Sequence, residues 1–370
     1  MALAGNSIIL HNRAPLPTSL TPSNFRCKPI NFYSKPQSLA HYNIRISPLS
    51  CFAKSTFISD DVEVQSINPT ATPTTTWSEF ASNVSGEWDG FGAEFTSEGN
   101  PVELPESVVP EAFREWEVKV FDWQTQCPTL AQSQEFAITY KTIKLLPTVG
   151  CEADAATRYS IDERNIGGID NKVSAFAYQS SGCYVAVWPI QDNGMDKQFE
   201  LEYCLIHPQD KESRVRVIQV VHVVNSKMTL KNIRVFCEQW YGQFRNGDQL
   251  GGCAIRDSAF ASTAALQSYE VVGVWQGPTA VASFNASQTC FLKELKGDTM
   301  QKSVRDEHDL ILLPKQLWCS LKGGKDGETI SKVGWVSEHG FATTSTCIFS
   351  SDAKLKEVSI ARETATLQGD

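Results

Sequence analysis

Apolar and polar positions along this chain alternate over short runs, the period of half-buried β-strands. The runs are Phe113–Trp123, Phe136–Leu146, Val173–Trp188, Phe199–His207, Arg214–Asn225 and Leu230–Trp240, followed by Ala280–Phe284, Thr289–Leu292, Leu310–Leu321, Lys332–Ser337, Phe341–Phe349 and Leu355–Arg362. Between them lie turn sequences such as Pro147-Thr148, Gly167-Gly168, Asp192-Asn193-Gly194, Pro208-Gln209-Asp210 and Ser350-Ser351-Asp352. Closely spaced short strands with few helices predict an all-β sandwich or barrel, and the lack of βα alternation excludes a doubly wound sheet. A helical period appears in two places. Trp77, Phe80 and Val84 share one face behind Thr76-Trp77-Ser78-Glu79, which has capping-box spacing, and Asp257 or Ser258 can cap a second helix from Ala259 to Gln267.

Each predicted helix leads to the same short motif. Gly86-Glu87-Trp88 is followed by Gly90, and Gly273-Val274-Trp275 by Gly277. A glycine there lets the chain bend tightly into a first strand, while the indole plugs the floor of a barrel. Two such openings predict two tandem barrels, one over residues 76–245 and one within 246–370, the second preceded by an inter-barrel segment.

The interior of the first barrel is addressed by the run from Arg214 to Val224. One face carries Val215, Val217, Gln219, Val221 and Val223; the other carries Arg214, Arg216, Ile218, Val220, His222 and Val224. Isolated polar groups among valines suit the wall of an apolar cavity, where one or two charges fix a ligand's orientation. Arg216, Gln219 and His222 are the candidate ligand-binding residues on that reading. The same arginines also fit a solvated outer face, and the same histidine a core position satisfied by a neighbour.

A Gly-x-Trp opening with an arginine on a late strand resembles the calycin superfamily. The resemblance implies an arginine packed over the tryptophan at the closed end of each barrel: Arg216 (or Arg214) with Trp88, and Arg362 with Trp275. Such a stack contributes roughly 0.5–2 kcal/mol. Gly86-Glu87-Trp88-Asp89-Gly90 is also similar to the opening of the lipocalin-like bilin lyases. The tandem arrangement over most of residues 76–365 resembles a two-barrel family of cyanobacteria and plastids. These likenesses imply two calycin-type antiparallel barrels that hold an apolar molecule such as a pigment, tetrapyrrole, carotenoid, quinone or fatty acid.

Composition adds a compartment. No Asp or Glu precedes Asp60, while Arg13, Arg26, Lys28, Lys35 and Arg45 are spread among serines and prolines. That is the composition of an organelle transit peptide, here a chloroplast one over residues 1–53, with a polar linker over 54–75. Its removal lowers the formal net charge from −9 to −14, which argues against nucleic acid as a partner. No apolar run approaches the length of a membrane span, so the mature chain is expected to be soluble in the stroma or peripherally associated with thylakoids.

Catalytic signatures are absent from the sequence. It holds no Gly-x-Ser-x-Gly elbow, zinc helix, Walker loop or dinucleotide fingerprint, and the eleven cysteines include no Cys-x-x-Cys. Asp306-Glu307-His308-Asp309 is the densest titratable cluster, but four consecutive residues on a strand cannot all face one ion. No catalytic residue, metal or cofactor is assigned. Three function classes follow, in this order: a carrier of an apolar molecule, an assembly factor that binds a photosynthetic complex, and an isomerase, cyclase or chromophore lyase acting on an apolar substrate.

Overall fold

Val-x-Gly-x-Trp-x-Gly occurs twice in the chain, and each copy builds the same joint. The computed structural model describes residues 75–149, 157–192, 196–248, 259–284, 290–338 and 340–366. The indole N–H of Trp88 donates to the carbonyl of Val84 at 2.9 Å, and that of Trp275 to the carbonyl of Val271 at 2.7 Å. Reaching back four residues requires a sharp bend, made by Gly86 at φ +142° and Gly273 at φ +129°. The second glycine of each copy answers a different need. A Cβ on Gly90 would stand 1.9 Å from the carbonyl oxygen of Cys237, and one on Gly277 1.8 Å from that of Arg362. Neighbouring backbone therefore closes directly over both positions.

The first copy follows α1 (Thr75–Val84), which buries Trp77, Phe80, Ala81 and Val84. It then opens β1 (Glu87–Thr96) of an eleven-stranded sheet. The sheet continues through β2 (Asp122–Gln126), β3 (Thr129–Gln132), β4 (Ala137–Leu145), β5 (Arg158–Ile166) and β6 (Ala175–Tyr178). It is completed by β7 (Tyr184–Asp192), β8 (Asp196–Ile206), β9 (Ser213–Val224) and β10 (Lys227–Gly242). The second copy opens β11 (Gly273–Ser283) of a seven-stranded sheet. Its other strands are β13 (Lys296–Arg305), β14 (Ile311–Leu313), β15 (Leu317–Gly323), β16 (Thr329–Glu338), β17 (Phe341–Phe349) and β18 (Leu355–Ala365), in the order β13-β11-β18-β17-β16-β15-β14. Only the short β12 (Leu292–Glu294) crosses over, pairing in parallel with β6 of the first sheet. The protein is thus all-β, with two curled sheets.

Side-chain contacts between strands that are not neighbours identify the concave side of the first sheet. Tyr140 on β4 donates to Glu202 on β8, and Arg164 on β5 reaches Glu200 on β8 at 2.6 Å. The convex side is apolar. Val215, Val217, Val221 and Val223 of β9, with Leu201 and Tyr203 of β8, share one core with Cys319, Val333, Cys347, Phe349, Val358 and Ile360 of the second sheet. The main core therefore lies between two sheets packed face to face, each buried aliphatic side chain contributing about 1.5–3 kcal/mol. A second core sits inside the first sheet, where α1 packs Trp77, Phe80 and Val84 against Phe176, Tyr178 and Tyr184.

Several elements differ from the sequence expectation. The helix expected over Ala259–Gln267 is two 3₁₀ turns, Phe260–Ser262 and Ser268–Glu270. Asp122 of the first sheet accepts the backbone N–H of Ala261 at 3.2 Å, so a tertiary contact holds the segment in a tighter form. The strand expected over Phe113–Trp123 begins only at Asp122, and a short helix, α2 (Glu111–Glu115), follows Pro110. Strands β5 and β13 are mostly exposed and polar, which is why alternation does not reveal them; each pairs on one side only. The expected transit peptide, all of the linker but Thr75, and the cap positions Asp257 and Ser258 lie outside the described residues.

Replacing Trp88 by alanine removes a fully buried indole together with its anchor to Val84. Chemical denaturation of the Trp88→Ala variant is expected to show a loss of roughly 3–5 kcal/mol, and a loss below about 1 kcal/mol would rule out a floor role.

Candidate functional site

Alternation in β8, β9 and β10 turns charged residues toward the concave side of the first sheet, where they form one connected network. Arg214 lies over Trp88, its guanidinium carbon 4.1 Å from the ring centre. Its Nε donates to Glu238 at 2.7 Å, and Arg216 donates to the same carboxylate at 2.8 Å. Arg216 also reaches Glu202 at 3.2 Å and covers the ring of Phe236. Glu202 further accepts from Tyr140, from Tyr184 at 2.9 Å and from Trp188 at 3.0 Å. Farther along, Glu200 bridges Arg164 and Arg234.

These groups hold one another in fixed protonation states. Burial pushes the Glu238 carboxyl up, but Arg214 and Arg216 together outweigh it and hold the group below its ordinary value. Burial and the adjacent Glu202 raise the Tyr140 phenol well above its usual range. Glu202, Glu238 and Glu200 each accept from at least two donors. The network fills the space in which the sequence placed a ligand.

The three predicted ligand residues do not converge. Arg216 belongs to the ionic network. His222 shares its face but sits at the far end of β9, where Nε2 is 3.0 Å from Gln198 Oε1. Gln219, an odd number of residues away, points from the convex side into the interface. There its amide donates to the carbonyls of Ser320 and Lys332 at 3.4 and 3.3 Å, and its oxygen accepts from Ser331.

Of the closure residues, Gly86, Trp88, Gly273 and Trp275 form the two joints. Of the two arginines considered for Trp88 it is Arg214 that lies over the ring, while Trp275 is covered by Arg305, again at 4.1 Å, and not by Arg362. Arg305 also lies 4.6 Å from the centre of the Trp318 ring and pairs with Glu363. Arg362 is excluded by alternation. It shares the face of Val358 and Ile360, which packs on the first sheet, whereas Glu363 turns the other way toward Arg305. The register pairing of Glu238 with Arg214 could have been sought as opposite charges on adjacent strands. Arg305 carried no such local signal.

The described cavity lies elsewhere. A cleft of about 980 Å³ runs between the convex side of the first sheet and the segment leading to β11. Phe91, Val215, Tyr241, Leu266 and Trp335 give it apolar walls, and its charged lining residues are Asp89, Glu270 and Lys315 together with Arg214 and Glu238 of the ionic network. Asp89 is 5% exposed, and its Oδ1 has no hydrogen-bond partner. Burial first, and then the charge of Glu87, push its carboxyl up to about 6, against the pull of a Gln126 hydrogen bond. Burial likewise raises Asp122 to about 6. Among the described residues no group of three or more His, Cys, Asp or Glu side chains is placed to hold a metal ion, and no helix is long and apolar enough to cross a membrane.

The chain matches no protein-family profile and no curated protein. Among solved structures it is similar to a crystal structure of a protein of unknown function from the DUF3598 family of Nostoc punctiforme. The two are 11% identical, with a TM-score of 0.48, and the match covers 79% of this chain and 100% of that one.

Truncating Glu238 leaves two buried guanidiniums without their shared counter-ion, so Glu238→Ala is expected to cost roughly 3–5 kcal/mol in denaturant titration. Asp89 and Asp122 act in the opposite sense. Their folded-state values of about 6 exceed the ordinary value of 3.8. Their contribution is therefore fully present below pH 3.8 and is lost as the pH rises through about 6. The double variant Asp89→Asn with Asp122→Asn should melt higher than the parent at pH 7.5 and level with it near pH 4; equal melting at both pH values would contradict the shifts.

Proposed function

We propose that this protein is a plastid binding protein that holds an apolar small molecule in the cleft between its two sheets. The observation that carries this reading is the contrast between two spaces. The concave side of the first sheet is filled by paired arginines and carboxylates, whereas the inter-sheet cleft is about 980 Å³ with aromatic and aliphatic walls. A volume of that order accommodates a pigment, a quinone, a carotenoid fragment or a fatty acid. The cleft supplies shape and an apolar surface, with Asp89, whose Oδ1 has no hydrogen-bond partner, to orient a guest. Binding without turnover is the function proposed. Import into a plastid is part of the proposal and is supported by the acid-free, serine- and proline-containing composition of residues 1–53.

Native mass spectrometry of the protein purified gently from plastids, with organic extraction and an absorbance scan, tests this directly. A stoichiometric apolar species is expected, and Ala265→Trp, which places an indole in the cleft, should abolish its retention. A clean unliganded mass with no uptake from plastid lipid and pigment extracts would sink the proposal and favour a protein-binding assembly factor. A fluorescent reporter fused behind residues 1–53 should accumulate in plastids.

A further inference from the structure

The second sheet carries a row of polar side chains that neither the joint nor the core uses. Ser320, Lys332, Thr346 and Ser359 are consecutive partners across β15, β16, β17 and β18, and Ser359 is paired in turn with Val281 of β11. Their sequence neighbours Cys319, Val333, Cys347, Val358 and Ile360 face the first sheet in the shared core. By alternation the four therefore point to the opposite, concave side. Lys332, Thr346 and Ser359 are half-buried there, and Ser320 is buried. None of the four side chains makes a hydrogen bond or ion pair within the described residues.

Charged groups surround this row. Lys332 senses Glu363, Lys322, Arg305 and Asp309, but both carboxylates are already engaged. Glu363 pairs with Arg305, and Asp309 with Lys322 at 2.6 Å. Among the described residues Lys332 is the cation of this group without an ion-pair partner; Glu357, two residues from Ser359 and paired with Ile348, stands on the same face in the adjacent row. Burial lowers its pKa, the sign of a charge held partly away from water with incomplete compensation. Arg305 has the same character one layer deeper, where its Nε and Nη1 lack acceptors. On the other side of the row, Ile330 and Ile348 are cross-strand partners on the same concave face.

We propose that this row binds the anionic oxygen group, a carboxylate or a phosphate, of a small organic molecule whose carbon part lies along Ile330 and Ile348. Lys332 supplies the counter-charge, and the hydroxyls of Ser320, Thr346 and Ser359 donate to the oxygens. The site lies on the opposite side of the second sheet from the inter-sheet core and does not depend on occupancy of the cleft.

Calorimetric titration of the full-length protein with octanoate, octyl phosphate and inorganic phosphate tests the assignment. Saturable binding of octanoate or octyl phosphate is expected, weakened about tenfold or more in Lys332→Met, which keeps the aliphatic stem, and several-fold in Thr346→Val. Ala265→Trp should leave this binding unchanged even where it empties the cleft. Inorganic phosphate that binds as tightly as octyl phosphate, with the same dependence on Lys332, would support the site and identify a free anion as its occupant. The proposal is overturned if none of the three probes binds, if affinity is the same in natively melting Lys332→Met and Thr346→Val variants, or if Ala265→Trp abolishes binding.

Discussion

The first sheet is buried on both faces, and this constraint organises the molecule. Its convex face is mostly apolar where the second sheet lies on it, with Gln219 as a hydrogen-bonded exception, and the charged positions of β9 point inward. Alternation then brings Arg214 and Arg216 into a space from which water is excluded, and each charge there needs a counter-charge within hydrogen-bonding reach. Glu202 and Glu238 provide it, with Tyr140, Tyr184 and Trp188 filling the remaining acceptor sites of Glu202. Replacing such a cluster with packed aliphatic residues is often neutral or stabilising. What the cluster adds in return is directionality, because paired guanidiniums and carboxylates tolerate far fewer alternative packings than valines do.

The repeated joint shows how two sheets of different size arrive at the same local answer. Both tryptophans hang from a carbonyl four residues earlier, both need a left-handed glycine between anchor and ring, and both carry a guanidinium at 4.1 Å. The arginines come from different places. Arg214 stands on β9, while Arg305 ends β13, the strand next to the one that carries its tryptophan. The requirement is thus a cation over an indole in a dry corner, met from whichever strand passes above it.

Filling the first sheet moves the open space outward. The residues between the two 3₁₀ turns, Ala264 to Gln267, line the inter-sheet cleft. Asp122 holds one of those turns, and Asp89 lines the cleft. The concave face of the second sheet is partly exposed and carries side-chain donors of its own.

Much of this was legible in the chain. The apolar period of Trp77, Phe80 and Val84, the two Gly-x-Trp motifs and the two faces of β9 depend on local sterics and on a period of two, which any reader of the sequence can apply. Strands β5 and β13 were not legible, because an edge strand with a solvated face has no apolar alternation to display. The partner of Trp275 was not legible either. Arg362 stands on a late strand, as the resemblance implies, whereas Arg305 ends the early strand β13, and the packing of Val358 and Ile360 against the first sheet turns Arg362 away. The sequence by itself determined the all-β class, the two joints and which residues share a face, since those follow from bonds and neighbours along the chain. Only the tertiary structure decided which face is inside. That choice depends on where the second sheet packs, and its contacts join residues more than a hundred positions apart.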